Sequence, residues 1–242
     1  MRPLWWGVMI CLWWPVAAWP SAQVYVLCYH TFLGKPSIHT DFSVAEFDRQ
    51  ITDLAAAGAK FVTLNDVLSG HINGWRNVLI SIDDGNASVR DAYDKVLKPR
   101  GIKAVFAIYP GIISARKFAL TWEDLRRLES EGNTIIAHGY FHEYLTDKAA
   151  AQNPTVFERE IMGSQKRLAE KLNHPVPIFA YPFGITSNAA VREVGTYYRK
   201  AFTIEARPLL VPKDLKTQPL LLPRYMMVKG RVQEILRALR NT

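Results

Sequence analysis

Two adjacent carboxylates, Asp83 and Asp84, directly follow an apolar run that reads as a buried strand, and Gly85 comes next. Like charges side by side repel each other and are costly to bury, so a chain that only needed a turn would be better served by one Asp or an Asn. The pair therefore predicts a positively charged partner. Simple turn chemistry before a glycine is the structural alternative.

Histidines lie at two other predicted strand ends. His30 ends the run "VYVLCYH", and His138 follows "TIIA", with His142 four residues later in "HGYFH". A spacing of four residues can present both imidazoles to one point, although such pairs also occur by chance. Two neutral imidazoles and one carboxylate are a common ligand set for a catalytic divalent metal, which would supply the positive charge beside the Asp pair.

Short β-branched runs alternate with amphipathic helical patterns from residue 24 onward, and these elements must position the polar residues. The predicted strands are 24–28, 60–64, 78–82, 104–108, 134–137, 178–180, 200–204 and 225–228. This alternation is typical of a parallel sheet with crossover helices. Seven or eight units suffice to close an α/β barrel, whereas an open doubly wound sheet would give a similar linear pattern. We favour a single-domain barrel with its chemistry at the carboxyl ends of the strands.

Helix starts are readable at two places. Ser43 with Glu46 forms a capping box that predicts a helix ending before Gly58. Thr121 with Asp124 predicts a second helix start of the same kind. A third, longer helix is predicted from the apolar stripe Phe157, Ile161, Leu168 and Leu172.

Three segments, "SIDDG", "HGYFH" and "FAYPFG", resemble in order and separation the motifs of the polysaccharide deacetylases. This is carbohydrate esterase family 4, with the NodB homology domain, whose usual motifs are Thr-Phe-Asp-Asp-Gly, His-Ser/Thr-x-x-His and Arg-x-Pro-x-Gly. The resemblance implies a distorted (β/α)7 barrel with Asp83 as the general base. It also implies a divalent metal on Asp84, His138 and His142, expected to be Zn²⁺, with Co²⁺, Ni²⁺ or Fe²⁺ as alternatives.

The sequence departs from this family pattern at three places. Gly139 replaces the hydroxyl residue after the first metal histidine, so a supporting hydrogen bond is expected to be lost, and Ala180 replaces the third-motif Arg. The late Leu-x-x-His that supplies the general acid has no counterpart, since no histidine follows His174. In the circularly permuted members that deacetylate poly-N-acetylglucosamine, a Tyr-His near the N-terminus supplies the acid. His30 matches it.

The same permuted subgroup is similar to this chain in its late "LPR" stretch, residues 222–224. We expect Arg224 to contribute to the site as a substrate-binding residue in place of the missing Arg, with a surface or packing role as the alternative. Tyr181 and Phe183 are candidate substrate-binding aromatics that could stack on sugar faces, or they pack at the barrel rim.

The resemblance implies a metal-dependent hydrolase that removes N-acetyl groups from N-acetylglucosamine units of an extracellular or cell-envelope polysaccharide. Peptidoglycan, chitin oligomers and acetylated xylan are alternative substrates, because the motifs specify the chemistry and not the polymer. A catalytically inactive carbohydrate-binding protein is the alternative from another class. A binder, however, has no need of both Asp83 and His30.

The N-terminus, residues 1–22, carries one Arg, an uncharged apolar stretch and then small residues, the order of a secretory signal peptide. An uncleaved membrane anchor is the alternative. We expect the domain, residues 23–242, to be exported to the periplasm or cell surface.

The domain has a single cysteine, Cys28, so an internal disulfide is excluded. The net charge of +8 comes from scattered basic residues without a nucleic-acid-binding motif, so no nucleic-acid partner is expected.

Overall fold

The structure, a computed structural model, describes residues 21–241, and the predicted alternation of strands and helices runs through them. The strands are β1 Ala22–Tyr29, β2 Lys60–Phe61, β3 Asn77–Asp84, β4 Ala104–Ile108, β5 Thr134–Ala137, β6 Ile178–Ala180, β7 Lys200–Phe202, β8 Leu209–Val211 and β9 Tyr225–Met226. The helices are α1 Val44–Ala56, α2 Leu64–Ser69, α3 Val89–Ala92, α4 Trp122–Ser130, α5 Asp147–Gln152, α6 Pro154–Glu158, α7 Ser164–Leu172, α8 Asn188–Tyr197, α9 Lys213–Thr217 and α10 Arg231–Arg240.

The N-terminal signal or anchor segment predicted for residues 1–22 lies, up to residue 20, outside the described residues. Ala22 already belongs to β1 and is buried. Within residues 21–241, no helix is long and apolar enough to cross a membrane.

A curled parallel sheet forms the centre of the fold. Strands β7, β6, β5, β4, β3 and β1 are hydrogen-bonded side by side in this order, and all these pairs are parallel. The chain around β9 completes the circuit. On one side, Leu27 of β1 pairs with Tyr225. On the other side, the Leu222 N–H donates to the carbonyl of Ala201 in β7 at 2.8 Å. The predicted single-domain, distorted (β/α)7 barrel is thus confirmed, with residues 222–226 as the closing segment.

Two short strands lie outside this circuit. β2 pairs with the start of β3, and β8 pairs antiparallel with the start of β1. The sequence analysis predicted a longer β2 and did not predict β8, a three-residue strand that follows a proline and extends the amino-terminal edge of β1.

Strand residues alternate between two apolar clusters. In β1, Tyr25, Leu27 and Tyr29 pack outward against the helices, whereas Val24 and Val26 belong to a smaller cluster inside the curled sheet. That inner cluster also receives side chains from α2, β8 and α9, which plug the amino-terminal end of the barrel. The opposite end holds the polar residues.

The predicted helix starts are both present. Ser43 and Thr121 are the N-caps of α1 and α4, and each forms a capping box with the acidic residue three positions later. The third predicted helix is also present, as three consecutive helical segments: α6, a π-helical turn at Arg159–Gly163, and α7. Its apolar stripe is buried as predicted.

Candidate active site

Asp83 and Asp84 end β3, and their side chains take different surroundings. Asp83 shares the inner face with Ser81 and is buried, with 2% of its surface exposed. Strand alternation would send the next side chain to the opposite face. Asp84 instead has a left-handed backbone with φ of 76°, which ends the strand geometry, and its Oδ1 lies 3.7 Å from His138 Nε2. Both carboxylates therefore meet the same histidine.

His138 and His142 face each other with 3.1 Å between their Nε2 atoms. His138 Nδ1 lies 2.8 Å from the Ala180 carbonyl, so Nδ1 carries a proton and donates it there, which leaves Nε2 facing the other site residues. Asp84 Oδ1 lies 3.6 Å from His142 Nε2. Ligand atoms of these three residues, the metal triad, all lie within 4.8 Å of one another.

Arg224 is the positively charged partner that Asp83 has within the protein. Its Nη1 donates to Asp83 Oδ1 at 2.8 Å and to Ser81 Oγ at 3.0 Å, and its Nε donates to the Thr203 carbonyl. Burial alone would raise the pKa of Asp83, but the charges of Arg224 and then of His138 reverse this and hold that pKa well below its usual range. Asp83 is therefore an ionised carboxylate at neutral pH.

Arg224 was predicted to bind substrate in place of the missing third-motif Arg. It does line the site, but it is only 1% exposed and is engaged with Asp83, which excludes a surface role. The structure thus makes it a partner of the carboxylate rather than an open substrate-binding group.

His30 reaches the site from the end of β1, on the other side of Asp83. One of its ring nitrogens, a carboxylate oxygen of Asp83 and the thiol of Cys28 lie within 4.8 Å of one another. Cys28 is fully buried and donates its S–H to Asp83 Oδ2 at 3.2 Å. Burial raises the pKa of this thiol well above its usual range, which keeps it protonated. Cys28 is therefore both a packed small residue and a donor to Asp83, and the sequence did not indicate this second role.

Backbone strain is concentrated at this site. Among residues 21–241, five non-glycine residues have a left-handed backbone, and three of them are Asp84, His142 and Phe183. Each such residue costs about 1–3 kcal/mol and persists where the surroundings fix it. The site geometry is therefore held by the fold.

A cavity of about 230 Å³ opens over these groups. It is lined by His30, Asp83, the metal triad, Arg224 and Phe183, so the predicted site residues are brought together, with one exception. Phe183 is 41% exposed, and its ring stacks on Tyr144 with centroids 4.1 Å apart. Tyr144 was not predicted to take part.

Tyr181 is the exception, and its prediction as a sugar-stacking residue is wrong for this structure. Its side chain is fully buried and packs on Phe179, with ring centroids 5.4 Å apart. The reason is strand parity: Tyr181 follows Phe179 by two residues and so turns outward to the helix layer with it.

Glu160 is a site residue that the sequence analysis missed. Its buried carboxylate accepts the backbone N–H groups of Tyr140, Phe141 and Glu143, all in the segment that carries His142. The loss of a supporting bond expected at Gly139 is therefore compensated by a side chain from another element. The signal was present in the sequence, since a charged residue stands three positions after Phe157 on the apolar stripe of its helix.

The donor set fits a divalent metal. Asp84 Oδ1 is buried and has no hydrogen-bond partner among the described residues, as expected of an atom that binds an ion. Burial, and then the neighbouring His138, lowers the pKa of His142 to about 4, so its imidazole is neutral at pH 7. Neutral imidazole and carboxylate are the metal-binding forms.

Comparison with known proteins agrees with this geometry. The polysaccharide deacetylase family model matches residues 73–199, just over half of the 242-residue chain. The chain belongs to the polysaccharide deacetylase family. It is accordingly a hydrolase that acts on amide bonds. The matched segment contains Asp83 and the metal triad but neither His30 nor Arg224.

Solved structures of other deacetylases share the fold. IcaB from Ammonifex degensii is 26% identical to this deacetylase, with a TM-score of 0.76 over 90% of this chain and 97% of that chain. A polysaccharide deacetylase from Bacillus cereus is 22% identical, with a TM-score of 0.75 over 90% and 69% of the two chains. The Streptococcus pyogenes deacetylase PplD, in complex with acetate, is 18% identical, with a TM-score of 0.76 over 90% and 98%. Comparison with curated proteins gives no significant match.

Proposed function

We propose that this deacetylase is metal-dependent and removes N-acetyl groups from N-acetylglucosamine units of an extracellular or cell-envelope polysaccharide that resembles poly-N-acetylglucosamine. The observation that carries the proposal is the convergence of His30, from β1, and Arg224, from the closing segment, on Asp83 beside the metal triad. Both residues belong to the segments that resemble the permuted subgroup, which supports the proposal.

The metal triad would hold a divalent cation, expected to be Zn²⁺, which when bound supplies Lewis-acid polarisation of the acetamide carbonyl and acidifies the attacking water. Asp83 accepts the proton of that water. Arg224 keeps this carboxylate ionised and oriented, so it is available to accept a proton at neutral pH.

His30 serves as the proton donor to the departing nitrogen. An amide nitrogen leaves poorly as an anion, so a hydrolase for N-acetyl groups needs an acid on the leaving-group side. His30 lies within 4.8 Å of Asp83 while its Nδ1 is buried without a hydrogen-bond partner among the described residues. This nitrogen is thus not committed to the protein scaffold.

The exposed pair of Phe183 and Tyr144 supplies an apolar wall on the His142 side of the cavity. The Phe183 ring lies edge-on to His142, with centroids 4.3 Å apart. A flat aromatic surface next to a catalytic centre suits the apolar face of a pyranose ring. We assign sugar stacking to this pair instead of Tyr181.

Acetate release from a substrate panel tests the function. We expect the Zn²⁺-loaded protein to release acetate fastest from poly-N-acetylglucosamine oligomers, and more slowly from chitin oligomers, peptidoglycan and acetylated xylan. Faster release from acetylated xylan would contradict the N-acetyl assignment. No release from any member, with zinc bound at one equivalent, would favour a carbohydrate-binding protein instead.

The two adjacent carboxylates offer a matched pair of substitutions for the assigned roles. Asp83→Asn should lower turnover by about 10²–10⁴-fold while zinc stays bound, because the base is lost and the ligands are not. Asp84→Asn should lower zinc content. His174→Ala, at an exposed histidine, is the control for both measurements. An Asp83→Asn protein with near-normal turnover would show that the roles are wrongly assigned.

Export of the deacetylase is part of the proposal. The apolar segment of residues 1–22 supports a signal peptide or membrane anchor. Fractionation of cells that express the full chain, followed by N-terminal sequencing of the recovered protein, tests export and cleavage together.

A further inference from the structure

The two histidines of the metal triad are held in different ways. His138 follows β5 directly, is 2% exposed and is fixed by its hydrogen bond to the Ala180 carbonyl. His142 instead stands in the irregular segment after β5, with a left-handed backbone φ of 66°. Its orientation therefore depends on the backbone of residues 139–143, which are not part of a helix or strand.

Glu160 holds that backbone. Its Oε2 accepts the N–H of Tyr140 at 2.9 Å, of Phe141 at 3.0 Å and of Glu143 at 3.2 Å, and its Oε1 accepts the N–H of Phe141 at 3.1 Å. These donors flank His142 on both sides in the chain. Converging backbone N–H groups of this kind form an anion-binding nest, and here the anion is a carboxylate of the protein itself.

The carboxylate is a built part of the fold. Glu160 is fully buried, and it belongs to the π-helical turn Arg159–Gly163 that joins α6 to α7. π-helical turns are frequent at functional sites because they redirect side chains within a helix. The Arg159 guanidinium lies 3.7 Å from Glu160 Oε1 and also covers the Phe141 ring at 4.9 Å, so a cation closes the outer side of the nest.

Gly139 completes the arrangement. A Cβ at this position would lie 2.8 Å from Glu160 Oε2 and 3.1 Å from Pro182 Cγ, and the backbone φ of 76° disfavours any side chain. The carboxylate thus occupies the space beside Gly139 where this family usually has a hydroxyl residue. Glycine here and glutamate on the helix form a matched pair.

We infer that Glu160 is a positioning residue for the metal triad: it fixes the segment of residues 139–143 so that His142 meets His138 and Asp84 before a metal binds. The inference rests on the metal-dependent function proposed above and adds a residue from outside the deacetylase motifs to it. Residues that orient metal ligands typically contribute about 10–100-fold to metal affinity.

Zinc affinity, measured by competition with a chromogenic chelator, tests this inference without reference to activity. Glu160→Gln, which keeps the shape but presents an amide N–H to the nest, should weaken zinc binding by about 10–100-fold. At saturating zinc, KM for the oligosaccharide should stay within about twofold of wild type. Glu158→Gln, at an exposed glutamate on the same helix, is the matched control and should bind zinc normally.

Three further variants distinguish the positioning role of Glu160 from a purely structural one. Leu168→Ala removes a buried side chain from α7 and should lower the thermal midpoint of the metal-free protein while zinc affinity is unchanged. Gly139→Ala should weaken zinc binding as Glu160→Gln does, whereas Gly101→Ala, at a left-handed glycine with open space around it, should not.

Failure of the proposed function and failure of the Glu160 inference give different results. A wild-type protein that binds no stoichiometric divalent metal overturns the proposed function. A wild-type protein that binds zinc, together with a folded Glu160→Gln variant of equal zinc affinity, overturns the role of Glu160 alone. Equal loss of zinc affinity in Leu168→Ala also overturns it, since the effect would then come from stability.

Discussion

At the scale of single residues, the site depends on how one carboxylate is kept charged in a buried place. Asp83 accepts hydrogen bonds from three side chains: Arg224 and Ser81 donate to Oδ1, and Cys28 donates to Oδ2. A buried charge is tolerated when it is paired and hydrogen-bonded, and removing one partner is much more costly than the pair is stabilising. Arg224 therefore controls both the ionisation and the orientation of the Asp83 carboxylate, the proposed base.

Arg224→Lys tests that role, because it keeps the positive charge and removes the planar guanidinium, whose Nη1 donates to Asp83 and Ser81 and whose Nε donates to the Thr203 carbonyl. Lysine offers a point charge without a planar donor array. We expect turnover to fall about 10–100-fold, from a misplaced base, with zinc content unchanged. Steady-state kinetics and metal analysis of the purified variant check this. Normal turnover in Arg224→Lys would show that charge alone suffices.

The sequence predicted the site residues whose partners are close in the chain. It gave little indication of the site residues whose partners are distant in sequence. Asp83 with Asp84, and His138 with His142, signal their chemistry by local spacing. Arg224 lies 141 positions from Asp83, so only a family resemblance pointed to it. Glu160 was missed because its partners are backbone N–H groups, which have no side-chain signature, so the only signal was a charged residue on an apolar helical stripe. Tyr181 was misassigned because the strand parity after β6 was not applied to it.

At the scale of elements, capping residues decide where helices begin and link them to neighbours. Thr121 caps α4 and forms the capping box with Asp124. Asp124 also forms an ion pair with Arg90 of α3, with 2.6 Å between Arg90 Nη2 and Asp124 Oδ2. The capping boxes of α1 and α4 were predicted because the signal lies within four residues, whereas the one formed by Thr63 and Asp66 at α2 was not predicted. β8 was missed since its three residues carry no periodic pattern, and their pairing partner on β1 lies far away in the sequence.

Asp124 gives α4 a pH-dependent anchor. Burial raises the pKa of Asp124, but Arg90 and Thr121 outweigh it and lower that pKa to about 2, below the ordinary 3.8. The unfolded chain therefore takes up this proton first as pH falls, so the stabilisation is complete above about pH 5 and is lost as pH falls through 3.8 towards 2. Because Arg90 is partly exposed, we expect about 1–2 kcal/mol.

Urea unfolding of Asp124→Asn and wild type between pH 7 and pH 3 measures this contribution. The variant should be less stable by that amount at pH 7, and the gap should narrow as pH approaches 3. A gap that stays constant across this range would mean that the capping hydrogen bonds, and not the ionised carboxylate, provide the stability.

At the scale of the whole molecule, the barrel is closed by a segment of only a few residues. Residues 222–226 bridge β7 and β1, and Leu222, fully buried in the inner cluster, anchors the segment two residues before Arg224. The barrel itself was predictable from seven or eight alternating units. A strand was predicted at residues 225–228, which contains β9, but the sequence did not reveal that residues 222–226 join β1 to β7, because both partners lie far away in the chain.

Leu222→Ala tests the link between closure and chemistry. Removal of a buried leucine should lower the free energy of unfolding by about 2–5 kcal/mol. Leu236→Ala, at a buried leucine of α10, should cost a similar amount and serves as the control. We expect acetate release per folded molecule to fall in Leu222→Ala only, because Arg224 loses its support. Equal turnover in both variants would show that Arg224 is held independently of the closing segment.

The order of the strands along the chain also has a consequence for synthesis. The metal triad and Asp83 leave the ribosome well before residues 222–226, so a nascent chain can collect its ligands while the guanidinium that neutralises Asp83 is still to come. Until Arg224 is in place, the carboxylate of Asp83 lacks its cation. We therefore expect water to stay beside the carboxyl end of β3 until then. Residues 222–226 must therefore be in place before the carboxylate of Asp83 is neutralised, and we expect a chain that stops before Arg224 to be inactive.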